Sequence, residues 1–332
     1  MPLFVTRILT VLFFFMIAVY LVPDEQAKSV EDPIKKDTVP SRVGAAAVPK
    51  GLVVVEDIFY REGDSSAWTL DLVMPKTRGK ERRPALVFVH GGGWSSGDKR
   101  RGIFRTAPVE YAKKGYVCIS VNYRLTSEAA FPACLEDAKC AVRWLRAHAE
   151  KYQVDPNRIG GYGNSAGAHL VSLLALVEKD KHLEGDGPWQ NQSSVLNAVC
   201  VSAVPTDFTR WPGGVENKPR LIEFLEQPET SLQEQAKKAS PISYVHAKAP
   251  PFLIFQGTRD RVVSVAQADQ FVKALKAAGA KDVTYHRYPG AGHSVFTQNQ
   301  KETDPLMEQF FERTLKKANT VTADSKANPM GE

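Results

Sequence analysis

An α/β protein, built on a mostly parallel eight-stranded sheet with helices on both faces, is predicted by three observations. Eight apolar runs of strand length recur between residues 53 and 288. Several of them are apolar without interruption, as strands covered on both faces are. From the third run onward they alternate with longer stretches of helical period, the pattern of β-α units.

In chain order the strands are expected at VVVEDIFY from Val53, WTLDLVM from Trp68, ALVFVH from Ala85, YVCISVNY from Tyr116 and RIGGYG from Arg158. LNAVCVSAV from Leu196, PFLIFQG from Pro251 and DVTYHRY from Asp282 follow. The first two form a meander. A helix is expected over 132–150, where Leu135, Ala138, Val142 and Leu145 recur at three- and four-residue spacing, and others over 165–177, 264–278 and 303–317. The stretch 204–251 breaks the alternation. Rich in Pro, Trp and charge, it reads as two short helices in a small cap insertion over one end of the sheet.

The folded unit is expected over 51–317. Ahead of it, residues 8–22 are apolar except Thr10 and follow Arg7. That run is shorter than the roughly 20 residues of a spanning helix and fits the core of a secretory signal. Its cleavage site is poorly marked, so 1–22 reads as a signal peptide or, if retained, a signal anchor, and the protein as exported or anchored in the membrane. Without a Cys directly after the run, a lipoprotein anchor has no support. Residues 23–50 have the composition of a polar linker and 318–332 that of a flexible tail.

Lys and Arg total 43 against 37 Asp and Glu, a net charge of +6. So small an excess is not the dense basic stripe that binds nucleic acid. Arg82-Arg83 and Lys99-Arg100-Arg101 are expected to be solvated loops. Cys118 and Cys200 lie in buried-strand runs, and Cys134 and Cys140 share one helix about 9 Å apart in rise. Bridged Cα atoms lie within about 7 Å, so four free thiols are expected.

Four motifs carry chemistry. Gly163-Asn164-Ser165-Ala166-Gly167 stands between a strand and a helix, where a tight turn lifts a Ser hydroxyl above the sheet. Gly-x-Ser-x-Gly alone is weak; its strand-to-helix context gives it weight. Ser165 and Ala166 open a helix, whose N-terminus favours developing negative charge. His90-Gly91-Gly92-Gly93-Trp94 ends the third strand, and its glycines let backbone amides approach a substrate oxyanion. His90 itself is expected to fix that loop. Asp260, in Gly257-Thr-Arg-Asp260, and His293, in Gly290-Ala-Gly-His293, follow the last two strands at the carboxyl edge, where open α/β sheets place their sites. A neutral imidazole takes the Ser proton, and a carboxylate holds that ring in one tautomer. The order Ser165, Asp260, His293 matches this use.

Other candidates are weaker. Asp207, after the sixth strand, is the rival acid. His169 is expected to point into packing, His246 and His286 lie in the insertion and in a strand, and His148 and His182 read as surface residues. No cluster has metal-ligand spacing and no loop has nucleotide context, so no metal or cofactor is expected.

With HGGGWSSGDK, NYRL, the Asp137…AVRWLRAHA helix, GNSAGAHL, GTRDRVV and GAGHSVF together, residues 51–317 resemble α/β-hydrolase-fold esterases near the hormone-sensitive-lipase-like group. The resemblance is nearest to the bacterial branch that includes bifunctional acetylxylan and feruloyl esterases. It implies Ser165 as nucleophile, Asp260 as acid, His293 as base, and Gly92, Gly93 and Ala166 as backbone oxyanion donors. Asn164 and Ala168 stand where relatives often carry Gly. The larger lipase-like members have an N-terminal helical cap, for which residues 23–50 are too polar. The resemblance therefore implies a rather open site that rewards short acyl groups, acetyl or feruloyl esters on polysaccharide among them, with Trp94 and Trp211 each either a stacking platform or a packing residue. An amidase, formamidase or peptidase would use the same triad. A non-catalytic member of the fold would be expected to lack one of its residues.

Overall fold

The computed structural model describes residues 49–177 and 183–316. The expected signal or anchor, the linker to residue 48, His182 and the tail lie outside the described residues. Among the described residues no helix is long and apolar enough to cross a membrane.

All eight expected strands form: β1 (Leu52–Phe59), β2 (Thr69–Pro75), β3 (Arg83–Val89), β4 (Val117–Val121), β5 (Val154–Asn164), β6 (Ala198–Ser202), β7 (Phe252–Gly257) and β8 (Val283–Tyr288). They make one sheet in the order β1-β2-β4-β3-β5-β6-β7-β8. β2 pairs antiparallel with both neighbours and every other pairing is parallel.

The helices are α1 (Ile103–Lys113), α2 (Ala133–Ala147), α3 (Ala166–Leu176), α4 (Pro219–Leu225), α5 (Leu232–Ala239), α6 (Val265–Ala277), α7 (Val295–Gln298) and α8 (Gln300–Phe311). A π-helical turn, Glu312–Lys316, follows α8. α1 is not announced by the sequence, because Pro108 interrupts its interior and proline ordinarily breaks a helix. It persists by burying Phe104, Ala107, Pro108, Tyr111 and Ala112. The 204–251 insertion contains α4 and α5, the latter opened by a reciprocal Ser231–Glu234 capping box.

Strand alternation sorts the core into two layers. Ala85, Val87 and Val89 of β3 and Phe252 and Ile254 of β7 join the residues of α2, α3 and α6 on one face. Leu86 and Phe88 of β3 and Leu253 and Phe255 of β7 join those of α1 and α8 on the other. β3 and β7 thus feed both layers, which is why their runs are apolar throughout.

Both basic clusters depart from expectation: Arg83 opens β3 and is half-buried, and the second departs further. Lys99 is buried, with Nζ 2.6 Å from Asp57 and 3.4 Å from Asp71. Arg100 donates Nε to Asp71 at 2.6 Å and reaches Asp57 at 2.9 Å. Both carboxylates come from the β1–β2 hairpin, where a bulge between Val55 and Ile58 holds Asp57 at φ 55°. The excess of basic residues over 99–101 reads as solvated only while the hairpin's acids, about 30–40 residues away, are left out; Arg101 is exposed. The four cysteines are buried and unpaired, and burial pushes their thiols up. His148 is half-buried, stacked on Trp144 at 4.5 Å, rather than on the surface.

Candidate active site

Ser165 sits where β5 turns into α3, with φ 51° and ψ −123°. A non-glycine residue at positive φ costs about 1–3 kcal/mol and has to be held there by its surroundings. The flanking glycines make the corner possible. A Cβ on Gly163 would stand 2.4 Å from the Gly167 carbonyl, and one on Gly167 would stand 2.0 Å from the Val89 oxygen of β3. Only hydrogen fits at either place. From β6, the Ser202 carbonyl accepts the Ser165 N–H at 2.9 Å.

His293 Nε2 lies 3.0 Å from Ser165 Oγ, and its Nδ1 lies 2.9 Å from Asp260 Oδ2. An ionised carboxylate only accepts, so Nδ1 carries the proton and Nε2 turns its lone pair to the hydroxyl. Asp260 is held in turn by the Val262 and Val263 amides at 2.8 and 2.9 Å and by Gln256 Nε2 at 3.1 Å. Burial raises its carboxyl, but hydrogen bonds from His293, Val263 and Val262 outweigh burial and hold it below the usual aspartate value. The structure thus brings together residues 165, 260 and 293, which are 128 and 33 positions apart.

The loop after β3 approaches the same corner. Gly92 and Gly93 adopt φ 126° and 61°. The Gly92 carbonyl accepts the Ser96 N–H at 3.1 Å, and a Cβ on Gly92 would stand 1.9 Å from the Ser96 oxygen. Among the described residues neither Gly92 nor Gly93 donates its N–H to a protein acceptor. Ala166 is the first residue of α3, where N–H groups lack an intrahelical partner. A Cβ on Gly91 would come within 2.7 Å of Asn164, so the loop packs directly on the Ser165 corner. His90 is buried behind it, stacked on Tyr123 at 4.3 Å, with Nδ1 2.8 Å from the Gly91 carbonyl, and burial pushes its pKa down to about 4. That ring fixes the loop. Among the described residues no group of three or more His, Cys, Asp or Glu is placed to hold a metal ion.

The BD-FAE family model matches residues 70–275, and the chain is 34% identical to esterase LipC of Mycobacterium tuberculosis over 85% of this chain and 69% of that one. The chain belongs to the BD-FAE family. The dienelactone hydrolase family model also matches, over 235–323. Two solved structures are similar to this BD-FAE member. One is a bifunctional GH43-CE protein of Bacteroides eggerthii, 29% identical with TM-score 0.71, covering 79% of this chain and 35% of that one. The other is Thermogutta terrifontis esterase 2 with butyrate bound, 30% identical with TM-score 0.65, covering 80% and 94%. The chain spans about half the length of two further mycobacterial relatives, LipM and LipQ. Fold and family are those of carboxylic ester hydrolases of the α/β-hydrolase type.

Within this BD-FAE fold several supporting residues escape sequence reasoning. Gln256 is fully buried and donates to both Asp260 and the Val263 carbonyl. Gly257 packs against the histidine loop, where a Cβ would stand 2.4 Å from the Ala291 oxygen. The two loops are zipped by Arg259 N–H to Ala291 O at 2.9 Å and Thr258 N–H to Tyr288 O at 3.0 Å. The NYRL motif also acquires a physical reading. Asn122 Oδ1 accepts the Lys99 N–H, the Tyr123 hydroxyl donates to the His90 carbonyl at 2.8 Å, and Arg124 pairs with Asp137 at 2.8 Å.

One expectation is corrected, and the rival acid is set aside. Trp94 is no stacking platform for substrate: it is 5% exposed, lies 4.1 Å from Phe224 in a stacked pair, and donates its indole N–H to His169 Nδ1 at 3.2 Å. Asp207 is committed elsewhere, its Oδ1 accepting the Thr209 hydroxyl at 2.6 Å, while His293 bonds Asp260. Trp211 is half-buried and stacked on Phe208 at 5.5 Å. His169 does lie in packing, wholly buried, but as part of a hydrogen-bonded chain.

Proposed function

We propose that the protein is an exported serine esterase that hydrolyses short-chain acyl esters, acetyl- or feruloyl-type esters on carbohydrate among them. The observation that carries the chemistry is the continuous chain from Ser165 Oγ through His293 to Asp260, at 3.0 and 2.9 Å. Ser165 attacks the ester carbonyl as His293 takes its proton. The oxyanion is received by the Gly92, Gly93 and Ala166 amides, and His293 returns the proton to the departing alcohol. Water, deprotonated by His293, then attacks the acyl-enzyme, and Ser165 regains its proton as the acid leaves.

A short acyl group is favoured by the modest insertion over 204–251. A long chain gains about 0.8 kcal/mol per buried CH₂ only where apolar wall exists to bury it. The relative solved with butyrate supports the same size class, and the relative described as GH43-CE supports a carbohydrate-linked ester. Trp211 is the remaining candidate for stacking on a sugar or aryl ring. Export rests on the composition of residues 8–22.

Hydrolysis of p-nitrophenyl acetate, butyrate and octanoate by the wild type and Ser165→Ala tests the reading. Acetate and butyrate turnover lost with Ser165 is expected. Faster cleavage of the octanoate breaks the short-acyl proposal, and turnover surviving in Ser165→Ala breaks the single-site mechanism. Acetylated and feruloylated xylan fragments then resolve the substrate.

A further inference from the structure

Trp94 directly follows the Gly92-Gly93 pair and has φ 58°, a conformation that a bulky side chain keeps only when its surroundings impose it. Three contacts impose it here. The Trp94 carbonyl accepts the Thr126 N–H at 2.9 Å, the indole stacks on Phe224 at 4.1 Å with 16° between planes, and the indole N–H reaches His169 Nδ1 at 3.2 Å.

An imidazole nitrogen accepts only when it carries no proton, so the third contact requires one tautomer of His169. The insertion selects it: the Ala239 carbonyl, at the end of α5, lies 2.7 Å from His169 Nε2 and accepts its N–H. Phe208 and Phe224, also from the insertion, meet the ring edge-on at 5.2 and 5.7 Å, and Phe131 lies 6.2 Å away. His169 stands in α3, four residues after Ser165, whose carbonyl accepts the His169 N–H at 3.0 Å. One ring therefore touches the nucleophile helix, the glycine loop and the cap.

We propose that His169 is a positioning residue for the oxyanion loop, held by the cap carbonyl of Ala239 in the Nε2–H tautomer so that its Nδ1 fixes Trp94 and the Gly92-Gly93 amides beside it. The cap is on this view part of the catalytic scaffold as well as a wall for substrate. The inference rests on the serine-esterase reading, because it assigns those amides to the oxyanion.

The test measures p-nitrophenyl acetate kinetics and inhibition by a trifluoromethyl ketone, whose carbonyl oxygen becomes an oxyanion when Ser165 adds to it. The proteins are full-chain wild type, Ser165→Ala, His169→Phe, Trp94→Phe and the double variant. Both single variants are expected to lose roughly 10- to 100-fold in kcat with KM within about threefold, below the ~10²–10³ lost with a whole donor. The ketone's inhibition constant is expected to rise in step, and the double variant to lose no more than the worse single, since both remove one bond. His169→Asn, which keeps an acceptor near the Nδ1 position, is expected to recover part of the loss. If either Phe variant does not fold, benzothienylalanine placed at position 94 removes only the N–H donor and decides alone. Wild-type kcat and ketone affinity in a folded donor-less protein overturn the inference while leaving the esterase reading intact. Activity that survives in Ser165→Ala overturns the esterase reading instead.

Discussion

Two ionic clusters, one partly exposed and one buried, brace different parts of the molecule. Lys99 and Arg100, in the loop that carries HGGGW, meet Asp57 and Asp71 of the β1–β2 hairpin. Lys139 and Arg143 of α2 meet Glu184 at 2.7 and 2.5 Å, where they hold the loop that precedes β6. In the first, Asp57 is half-exposed; in the second, Lys139, Arg143 and Glu184 are all buried, so removing Glu184 takes from two buried cations their shared carboxylate. The difference lies in what moves when they fail. The first cluster shares a loop with the oxyanion glycines, while the second joins α2 to the loop ahead of β6.

The largest effect expected is on the triad, against which either cluster is measured. Asp260→Asn is expected to lower kcat by about 10⁴, as when an acid that sets the histidine tautomer becomes an amide, with the thermal midpoint above the assay temperature. A loss below tenfold would move the acid elsewhere. Gly167→Ala follows: with Val89 O 2.0 Å from the new methyl, little soluble, active protein is expected. Gly290→Ala meets nothing within 4 Å and is expected to cost only about 1 kcal/mol, from its φ of 77°. Equal yields of the two would refute the packing argument.

The clusters separate next. Glu184→Gln is expected to destabilise by about 3–5 kcal/mol, because buried Lys139 and Arg143 lose their shared carboxylate, and to leave kcat of the folded protein within twofold. Lys99→Met is expected to cost less stability, because its partner Asp57 is 48% exposed, yet to lower kcat several-fold by loosening the loop. Urea unfolding and steady-state kinetics on the two variants check this, and the reverse pattern would break the comparison.

The smallest effect is a slope. Burial pushes the pKa of both His90 and His169 down to about 4. Their folded values lie below the unfolded one of about 6.5, so their contribution to stability is complete above 6.5 and is lost as pH falls towards 4. Each adds up to about 1.4 kcal/mol per pH unit in that window. His169→Phe is expected to flatten the fall between pH 6.5 and 4 in urea titrations, and an unchanged slope would sink the assignment.

Local rules made much of this protein legible. The eight strands follow from apolar runs, and Ser165, Asp260 and His293 follow from strand ends, because a β-α unit presents its chemistry at one edge. α1 was not legible, since Pro108 argues against the helix that tertiary burial nevertheless stabilises. Lys99 looked solvated because its partners Asp57 and Asp71 come from strands that sequence spacing does not place beside it. Trp94 was open between platform and packing because nothing local shows Phe224 stacked upon it. Gln256 carried no signal until β7 placed it beside Asp260.

By itself the sequence determined the order of the elements, the corner at Ser165 and the chemical types converging on it. These depend on period, glycine and turn geometry, all of which act over a few residues. Only the tertiary structure decided which charges are buried, which indole faces a histidine and which carbonyl sets that histidine's tautomer. Such contacts join distant residues, 42 positions apart for Lys99 with Asp57, 75 for Trp94 with His169 and 70 for His169 with Ala239. Their strength depends on exclusion of water, which exists only once the sheet, helices and cap have closed over them.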